Sequence, residues 1–204
     1  YSSPVQVGAL TDWASVSTGY QCTLATKTDG TLWAWGSSAH SQLGTNNATN
    51  YSSPVQVGAL TNWASVAVAA ANSGSVVATK TDGTLWAWGK NGFGQLGQNN
   101  LTTYSSPVQV GALTTWKNAC SGDYFTVATA TDGTLWAWGQ GNSGQLGQTS
   151  TTSYSSPIQV GALTNWTVNA GTAGFAFCSV VKTDGTLWTW GINSTGQLGH
   201  STYS

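Results

Sequence analysis

Thr-Asp-Gly-Thr-Leu-Trp-Ala-Trp-Gly, at residues 81–89, is the stretch that decides the fold, because the chain contains it four times. It is identical at 28–36 and 131–139, and at 183–191 it differs only by Thr189. Each copy follows a Tyr-Ser-Ser-Pro that starts at residue 1, 51, 104 or 154, so the sequence repeats about every 50 residues. A period of this length indicates a repeat architecture, in which neighbouring units bury the apolar faces that one unit alone leaves exposed.

The chain is predicted to be a single repeat domain made of four sequence repeats. Their bounds are 1–50, 51–103, 104–153 and 154–202. Residues 203–204 match the first two letters of a fifth Tyr-Ser-Ser-Pro, and the sequence contains no methionine. The pattern therefore predicts a segment of a longer array of such repeats.

Each repeat contains four short stretches that are typical of β-strands. In the first repeat they are 4–7, 13–16, 22–27 and 32–35. An Asp-Gly pair separates the last two and predicts a type I′ hairpin turn, in which both central residues have positive φ. The predicted turn residues are Asp29, Gly30, Asp82, Gly83, Asp132, Gly133, Asp184 and Gly185.

The predicted fold class is all-β, a β-propeller of four-stranded antiparallel blades. One blade is expected for each repeat, with no helix longer than one turn. The loops between blades are predicted at 37–50, 90–103 and 140–153. Two faces of such a partial array would remain apolar, so further blades or partner chains are expected to complete the ring.

A longer signature follows the repeated stretch, in which residues 90–97 read Lys-Asn-Gly-Phe-Gly-Gln-Leu-Gly. Together, residues 81–97 resemble the repeat of the regulator-of-chromosome-condensation family, and the resemblance covers the whole chain. It implies a β-propeller, usually of about seven blades. The family usually places a histidine in the third strand, where this chain has Cys22, Ser75, Phe125 and Phe177. The resemblance is therefore taken to imply the fold and not a nucleotide-exchange activity.

The composition excludes several classes of function. Only 5% of the residues are charged, there is no Glu or Arg, and the net charge is −1. This balance provides no electrostatic footprint for nucleic acid, and no apolar run is long enough to predict insertion into a membrane. Because 40% of the residues are hydrophobic and 12 are tryptophan, a folded chain is expected.

No group of residues predicts catalysis, a metal site or a cofactor. Four of the six acidic residues are the predicted turn aspartates, which recur for a structural reason. His40 and His200 lack the carboxylate or thiol neighbours of a metal site or a catalytic triad. The chain is therefore predicted not to be an enzyme, with no catalytic residue, no metal and no cofactor.

Three further residue types have structural interpretations. Cys22, Cys120 and Cys178 are expected to be buried small hydrophobes in preference to disulfide partners. The lysines before the turn, Lys27, Lys80 and Lys182, are expected at solvated strand ends. The tryptophans that recur at identical positions are expected to pack between blades, in preference to stacking on sugars.

The best candidates for binding lie between the second and third strands, where the repeats differ in length and sequence. The variable segments are predicted at Ser17–Gln21, Ala69–Gly74, Asn118–Tyr124 and Asn169–Phe175. Loops on a rigid scaffold concentrate function, and insertions in repeat arrays commonly map to one face. The candidate binding residues are Tyr20, Asn72, Tyr124 and Phe175.

These features predict a non-enzymatic interaction module that binds a protein partner, or copies of itself, through variable loops on one face. The compartment is not determined by the sequence, and an extracellular, cell-surface or virion location is favoured over a nuclear one. Two alternatives remain: a lectin-like propeller that binds glycans, and a purely structural component of a virion or surface appendage.

Overall fold

A computed structural model describes residues 2–70 and 73–201 of the chain. In these ranges the regular structure is entirely β: three antiparallel sheets of four strands and one of three. The strands are β1 Trp13–Gly19, β2 Cys22–Lys27, β3 Leu32–Gly36, β4 Tyr51–Gln56, β5 Trp63–Val68, β6 Ser75–Lys80, β7 Leu85–Gly89, β8 Tyr104–Gln109, β9 Trp116–Ser121, β10 Phe125–Ala130, β11 Leu135–Gly139, β12 Tyr154–Gln159, β13 Trp166–Ala173, β14 Phe177–Lys182 and β15 Leu187–Gly191. The first strands of neighbouring sheets, β1, β5, β9 and β13, contact one another in series. The all-β fold class with antiparallel blades is therefore confirmed.

The sheets are out of phase with the sequence repeats. We expected the four strands of a blade to come from one repeat, and this assignment is wrong. The outer strand of each complete sheet is the Tyr-Ser-Ser-Pro strand of the following repeat: β4 pairs with β3, and Tyr51 lies opposite Gly36. The N–H of Val57 fixes this pairing by donating to the carbonyl of Leu32 over 2.8 Å. Each four-stranded sheet therefore joins two repeats, and the loops 37–50, 90–103 and 140–153 connect strands of one sheet and not two blades as predicted.

The Asp-Gly hairpins form, but their turn type differs from the prediction. The N–H of Gly30 donates to the carbonyl of Lys27, and Gly30 has a φ of 77°. Among the described residues, Asp29 is not one of those with positive φ, so the turn is a type I turn followed by a glycine bulge. The Asp29 carboxylate explains this choice, because it accepts both the N–H and the hydroxyl of Thr31 (2.9 and 2.7 Å).

Tryptophans join neighbouring sheets, as the repeated pattern predicted. Trp88 and Trp138 are fully buried, and each packs against the tryptophan that begins the first strand of its own sheet. The indole N–H of Trp88 also donates to the backbone carbonyl of Gln42 in the preceding repeat, over 2.9 Å. Trp138 and Trp190 make the same bond to Gln95 and Gln145. The expected packing role is confirmed.

The lysines before the turns are buried, so the prediction that they are solvated strand ends is wrong. The ammonium of Lys80 lies 3.6 Å from the ring centroid of Trp86 and 4.8 Å from that of Trp63. Lys27 and Lys182 lie between equivalent pairs of tryptophans. Burial lowers the pKa of Lys80, and the charge of Asp82 opposes this shift. The aromatic faces replace part of the hydration that the ammonium loses.

All three cysteines are free and buried, as expected. Burial raises the pKa of Cys22 to about 11 and that of Cys120 to about 12, and it raises the pKa of Cys178 well above its usual value. Since the thiolate is the reactive form, these groups have little nucleophilic character at neutral pH.

A soluble aromatic disulfide reagent at pH 8 labels cysteine thiolates. We expect it to label the cysteines of the folded protein more than about a hundredfold more slowly than those of the urea-unfolded chain. The reason is that an unfolded thiol has a pKa of about 8.5 and is partly ionised at this pH. The measurement is the labelling rate with and without urea, with free cysteine as the reference. Fast labelling of any one cysteine in the folded protein would contradict its assigned burial.

Candidate functional site

The segments that differ most between repeats meet on one side of the sheets. In the first sheet, Cys22 pairs with Gly36, so the turn after β1 and the loop after β3 leave the same end. The Asp-Gly turns lie at the opposite end, where the turn glycine Gly30 approaches the carbonyl of Thr61. The variable face is the end that carries the turns after β1, β5, β9 and β13. It also carries the connectors 37–50, 90–103 and 140–153. We call the other end the hairpin face.

A buried glutamine holds each connector in the same shape. The side-chain carbonyl of Gln95 accepts the N–H of Phe93 over 2.9 Å, and Gln95 is fully buried. The same bond joins Gln42 to His40, Gln145 to Ser143 and Gln197 to Thr195. One backbone position, four residues after the Trp-Gly glycine, therefore carries a different side chain in each repeat: His40, Phe93, Ser143 and Thr195.

Two of these side chains pair with aromatic residues. The ring of His40 stacks on Tyr20, with ring centroids 6.2 Å apart. The ring of Phe93 lies 4.9 Å from that of Tyr124, and the ammonium of Lys90 lies 5.6 Å from the Tyr124 ring. Phe93 remains 40% exposed despite this contact. The variable face thus presents two aromatic pairs, which we call the Tyr20 pair and the Tyr124 pair.

The pairs are built differently. Tyr20 and His40 belong to the first sheet and its own connector, whereas the Tyr124 pair joins the third sheet to the connector of the second. Tyr20 and Tyr124 also differ in register: Gly36 approaches the carbonyl of Gln21, and the equivalent Gly139 approaches that of Tyr124. Tyr124 therefore corresponds to Gln21, one position after Tyr20.

The other two candidate binding residues are Phe175 and Asn72. Phe175 lies in the turn between β13 and β14 and is 66% exposed. Asn72 lies outside the described residues. The variable segments of the first, third and fourth repeats are also shorter than predicted. The strands before them are longer than expected, since β1 extends to Gly19, β9 to Ser121 and β13 to Ala173.

Sequence reasoning missed the partners of the two tyrosines. His40 was considered only for a metal site or a catalytic triad, and Phe93 was not among the candidate binding residues. Their shared position in the connector, two residues before a Gln-Leu-Gly, is a signal that could have found both.

The ionisable groups of the hairpin face have structural partners. Each turn aspartate accepts hydrogen bonds from the hydroxyl and the N–H of the threonine two residues later. These bonds lower the pKa of Asp29, Asp82, Asp132 and Asp184. Over residues 2–70 and 73–201 no three His, Cys, Asp or Glu side chains gather as a metal site would require. In the same ranges no helix is long and apolar enough to cross a membrane.

The family comparison agrees with this geometry. A family model described as the Regulator of chromosome condensation (RCC1) repeat matches residues 29–78, 82–129 and 132–178, which is most of the chain. The chain belongs to the RCC1 repeat family. The suspected resemblance is thereby confirmed.

The chain spans about half or less of the length of the relatives it matches. The RCC1 domain-containing protein RUG3, mitochondrial, of Arabidopsis thaliana is 32% identical over 117 residues, which cover 57% of this chain and 26% of RUG3. The crystal structure of human WBSCR16 matches with a TM-score of 0.81 at 22% identity, over 94% of this chain and 50% of that one. Saccharomyces cerevisiae Prp20p also matches with a TM-score of 0.81, at 18% identity, over 98% of this chain and 50% of that one. These two structures show the shared fold.

The comparisons contradict the expected location. RUG3 is named as a mitochondrial protein, and the structural report on Prp20p includes its binding to histones. Neither is an extracellular, cell-surface or virion protein. The preference for those locations over a nuclear one is therefore wrong. It relied on low charge, which governs solubility and association rates but does not specify a compartment.

Proposed function

We propose that this RCC1-type propeller segment is a non-enzymatic module that binds a protein partner through its variable face. The main support is the connector position held by the buried glutamine. It places different side chains at one rigid position in each repeat, and two of them, His40 and Phe93, complete aromatic pairs with Tyr20 and Tyr124. Aromatic residues on a rigid scaffold supply large contact area at low entropic cost, as binding hot spots do.

The relatives support a protein as the partner. Prp20p, which shares the fold, has reported binding properties toward Gsp1p and histones. The identity of the partner of this chain does not follow from that, since only the fold is shared. We place the chain with the nuclear and organellar members of the family, following Prp20p and the mitochondrial RUG3.

The chemistry of the variable face favours a partner that offers apolar and hydrogen-bonding groups. Besides the aromatic pairs, Leu101 is largely exposed on the connector 90–103. Lys90 lies against the Tyr124 ring, where it adds one positive charge to a largely uncharged surface. Because charge is scarce, binding should depend weakly on salt. A loss of affinity of more than about tenfold between low and physiological salt would count against this mode of recognition.

A photo-crosslinking amino acid at position 93 would capture the partner in the source cell. The matched control carries the same amino acid at position 113, since Leu113 is exposed on the hairpin face. We expect a protein crosslinked from position 93 and not from position 113. Crosslinking of the same protein from both positions, or only of glycan, would contradict binding through the variable face to a protein.

Alanine substitution then measures the contribution of each aromatic pair. We expect Tyr20→Ala and Tyr124→Ala each to raise the Kd for the captured partner at least tenfold, which corresponds to about 1.4 kcal/mol. Thermal unfolding is measured alongside, with Leu113→Ala as the control. A lower Tm with an unchanged Kd per folded molecule would show that the tyrosines only cap the strands.

A further inference from the structure

In the described part of the chain, three sheets hold a lysine ammonium between two tryptophan rings at the hairpin face. The ammonium of Lys80 lies 3.6 and 4.8 Å from the ring centroids of its pair. The distances are 3.7 and 4.7 Å for Lys182, and 4.6 and 5.1 Å for Lys27. These three lysines are at most 8% exposed. Each arrangement is a small cation site that the chain fills with its own side chain.

The third sheet has the two rings, but alanine replaces the lysine. The residue before its turn is Ala130, whose side chain ends at the methyl group. The ring centroids of Trp116 and Trp136 lie 5.9 Å apart at an interplanar angle of 75°. The corresponding values for Trp63 and Trp86 are 6.0 Å and 76°. The rings of the third sheet have therefore not closed over the place of the missing side chain.

A lysine from elsewhere does not take this place. Within the described ranges, the ammonium groups that lie over tryptophan rings are those of Lys27, Lys80 and Lys182. Lys117, which follows Trp116 on β9, is exposed and is not one of them. The pair in the third sheet can therefore accept a cation from outside the chain.

A carboxylate accompanies each ring pair. Hydrogen bonds from the threonine two residues later do most to lower the pKa of Asp82, and the charge of Lys80 lowers it further. The other two lysines act on their turn aspartates in the same way. In the third sheet hydrogen bonds from Thr134 lower the pKa of Asp132, and Ala130 brings no charge to it. The third sheet thus keeps a negative charge beside its rings, without the lysine that compensates it elsewhere.

The residue before the first tryptophan is also smaller in the third sheet. In the second sheet this residue is Asn62, which is half-buried and donates its side-chain amide to Asp82 over 3.1 Å. The equivalent Thr115 has a shorter side chain and is exposed. Because Trp116 is only 3% exposed, a ligand that enters past Thr115 must be as slim as a lysine side chain.

We propose that Trp116, Trp136 and Asp132 bind the primary alkylammonium group of a small molecule, in the place that a lysine occupies in the other sheets. The negative faces of the two rings attract the ammonium, and the carboxylate adds a charge of opposite sign. This inference is independent of the proposed function, because the site lies on the hairpin face and not on the variable face.

Titration with n-propylammonium tests the proposal on the 204-residue chain. This probe carries the atoms by which a lysine side chain extends beyond that of alanine. The measurement is the NMR shift of the indole N–H signals at constant ionic strength. We expect a saturable shift of the Trp136 signal, and binding of n-propanol, which has a similar shape without the charge, that is weaker by about tenfold or more. No saturable shift, or equal binding of the alcohol, would overturn the proposal.

Two substitutions exchange the filled and the open site. Ala130→Lys fills the site from within, so it should weaken the binding of n-propylammonium by about tenfold or more without lowering the Tm. Lys80→Ala should open a second site, seen as a saturable shift of the Trp86 signal. The third sheet already carries alanine at this position, so the variant is expected to fold. Unchanged affinity in Ala130→Lys, or no new shift in folded Lys80→Ala, would contradict the assignment.

A Gly-Lys-Gly peptide distinguishes a small molecule from a protein side chain as the source of the ammonium. We expect the peptide to bind more weakly than n-propylammonium, because the buried Trp116 ring leaves little room for a peptide backbone. Tighter binding of the peptide would overturn the assignment to a small molecule.

Discussion

Trp138→Ala is expected to lower the free energy of unfolding by about 3–5 kcal/mol, because it removes a large, fully buried ring and leaves a cavity. The ring packs on Trp116 of its own sheet and shares a buried cluster with Val77, Leu96 and Val110 of the neighbouring sheet and its connector. Its N–H also satisfies the backbone carbonyl of Gln95. The measurement is urea unfolding followed by circular dichroism.

Trp35→Ala is the matched control, because Trp35 occupies the same position in the first sheet and is only half-buried. The loss at Trp35 should be less than half of that at Trp138. Equal losses would show that the ring stabilises its own sheet and not the junction between sheets.

Gly83→Ala is the second substitution with a large expected effect, about 2–5 kcal/mol. Gly83 has a φ of 78°, and an added Cβ would lie 2.1 Å from the carbonyl oxygen of Thr114. The left-handed conformation costs a residue with a Cβ about 1–2 kcal/mol, and displacing the backbone of the next repeat adds a steric term of about 1–3 kcal/mol. Urea unfolding measures the sum.

The fourth repeat isolates the two terms. Gly185 has nearly the same φ, 83°, but a Cβ there would meet nothing within 4 Å. Gly185→Ala should therefore lower stability only by the conformational term of about 1–2 kcal/mol. If Gly83→Ala costs no more than Gly185→Ala, the contact between the turn and the following repeat is not a tight one.

Much of the local structure could be predicted from the residues. The Asp-Gly hairpins, the strand stretches and the tryptophan packing follow from short-range patterns and their recurrence. The type of turn did not follow, because the Asp29 carboxylate binds Thr31 and keeps Asp29 out of the left-handed region. Hairpin rules based on the backbone alone omit this competition from side chains.

The candidate site was only partly predictable. Tyr20 and Tyr124 stood out because they vary within repeats that otherwise agree. Their partners His40 and Phe93 lie 20 and 31 residues away in sequence, and it is the folded connector, held by a buried glutamine, that brings them together. The burial of Lys80 depends likewise on two tryptophans from different strands.

The sequence by itself determined that this protein is a repeat of β-hairpins with tryptophan-rich strands, since period, turn residues and strand residues are local properties. The tertiary structure alone decided which strand completes which sheet. The Tyr-Ser-Ser-Pro strand pairs with the repeat before it because Val57 reaches the carbonyl of Leu32 and is buried there. A strand carries hydrogen-bonding groups along both edges, so its own residues do not specify its neighbour. That choice is made by the burial and hydrogen bonds available only when the sheets are packed together.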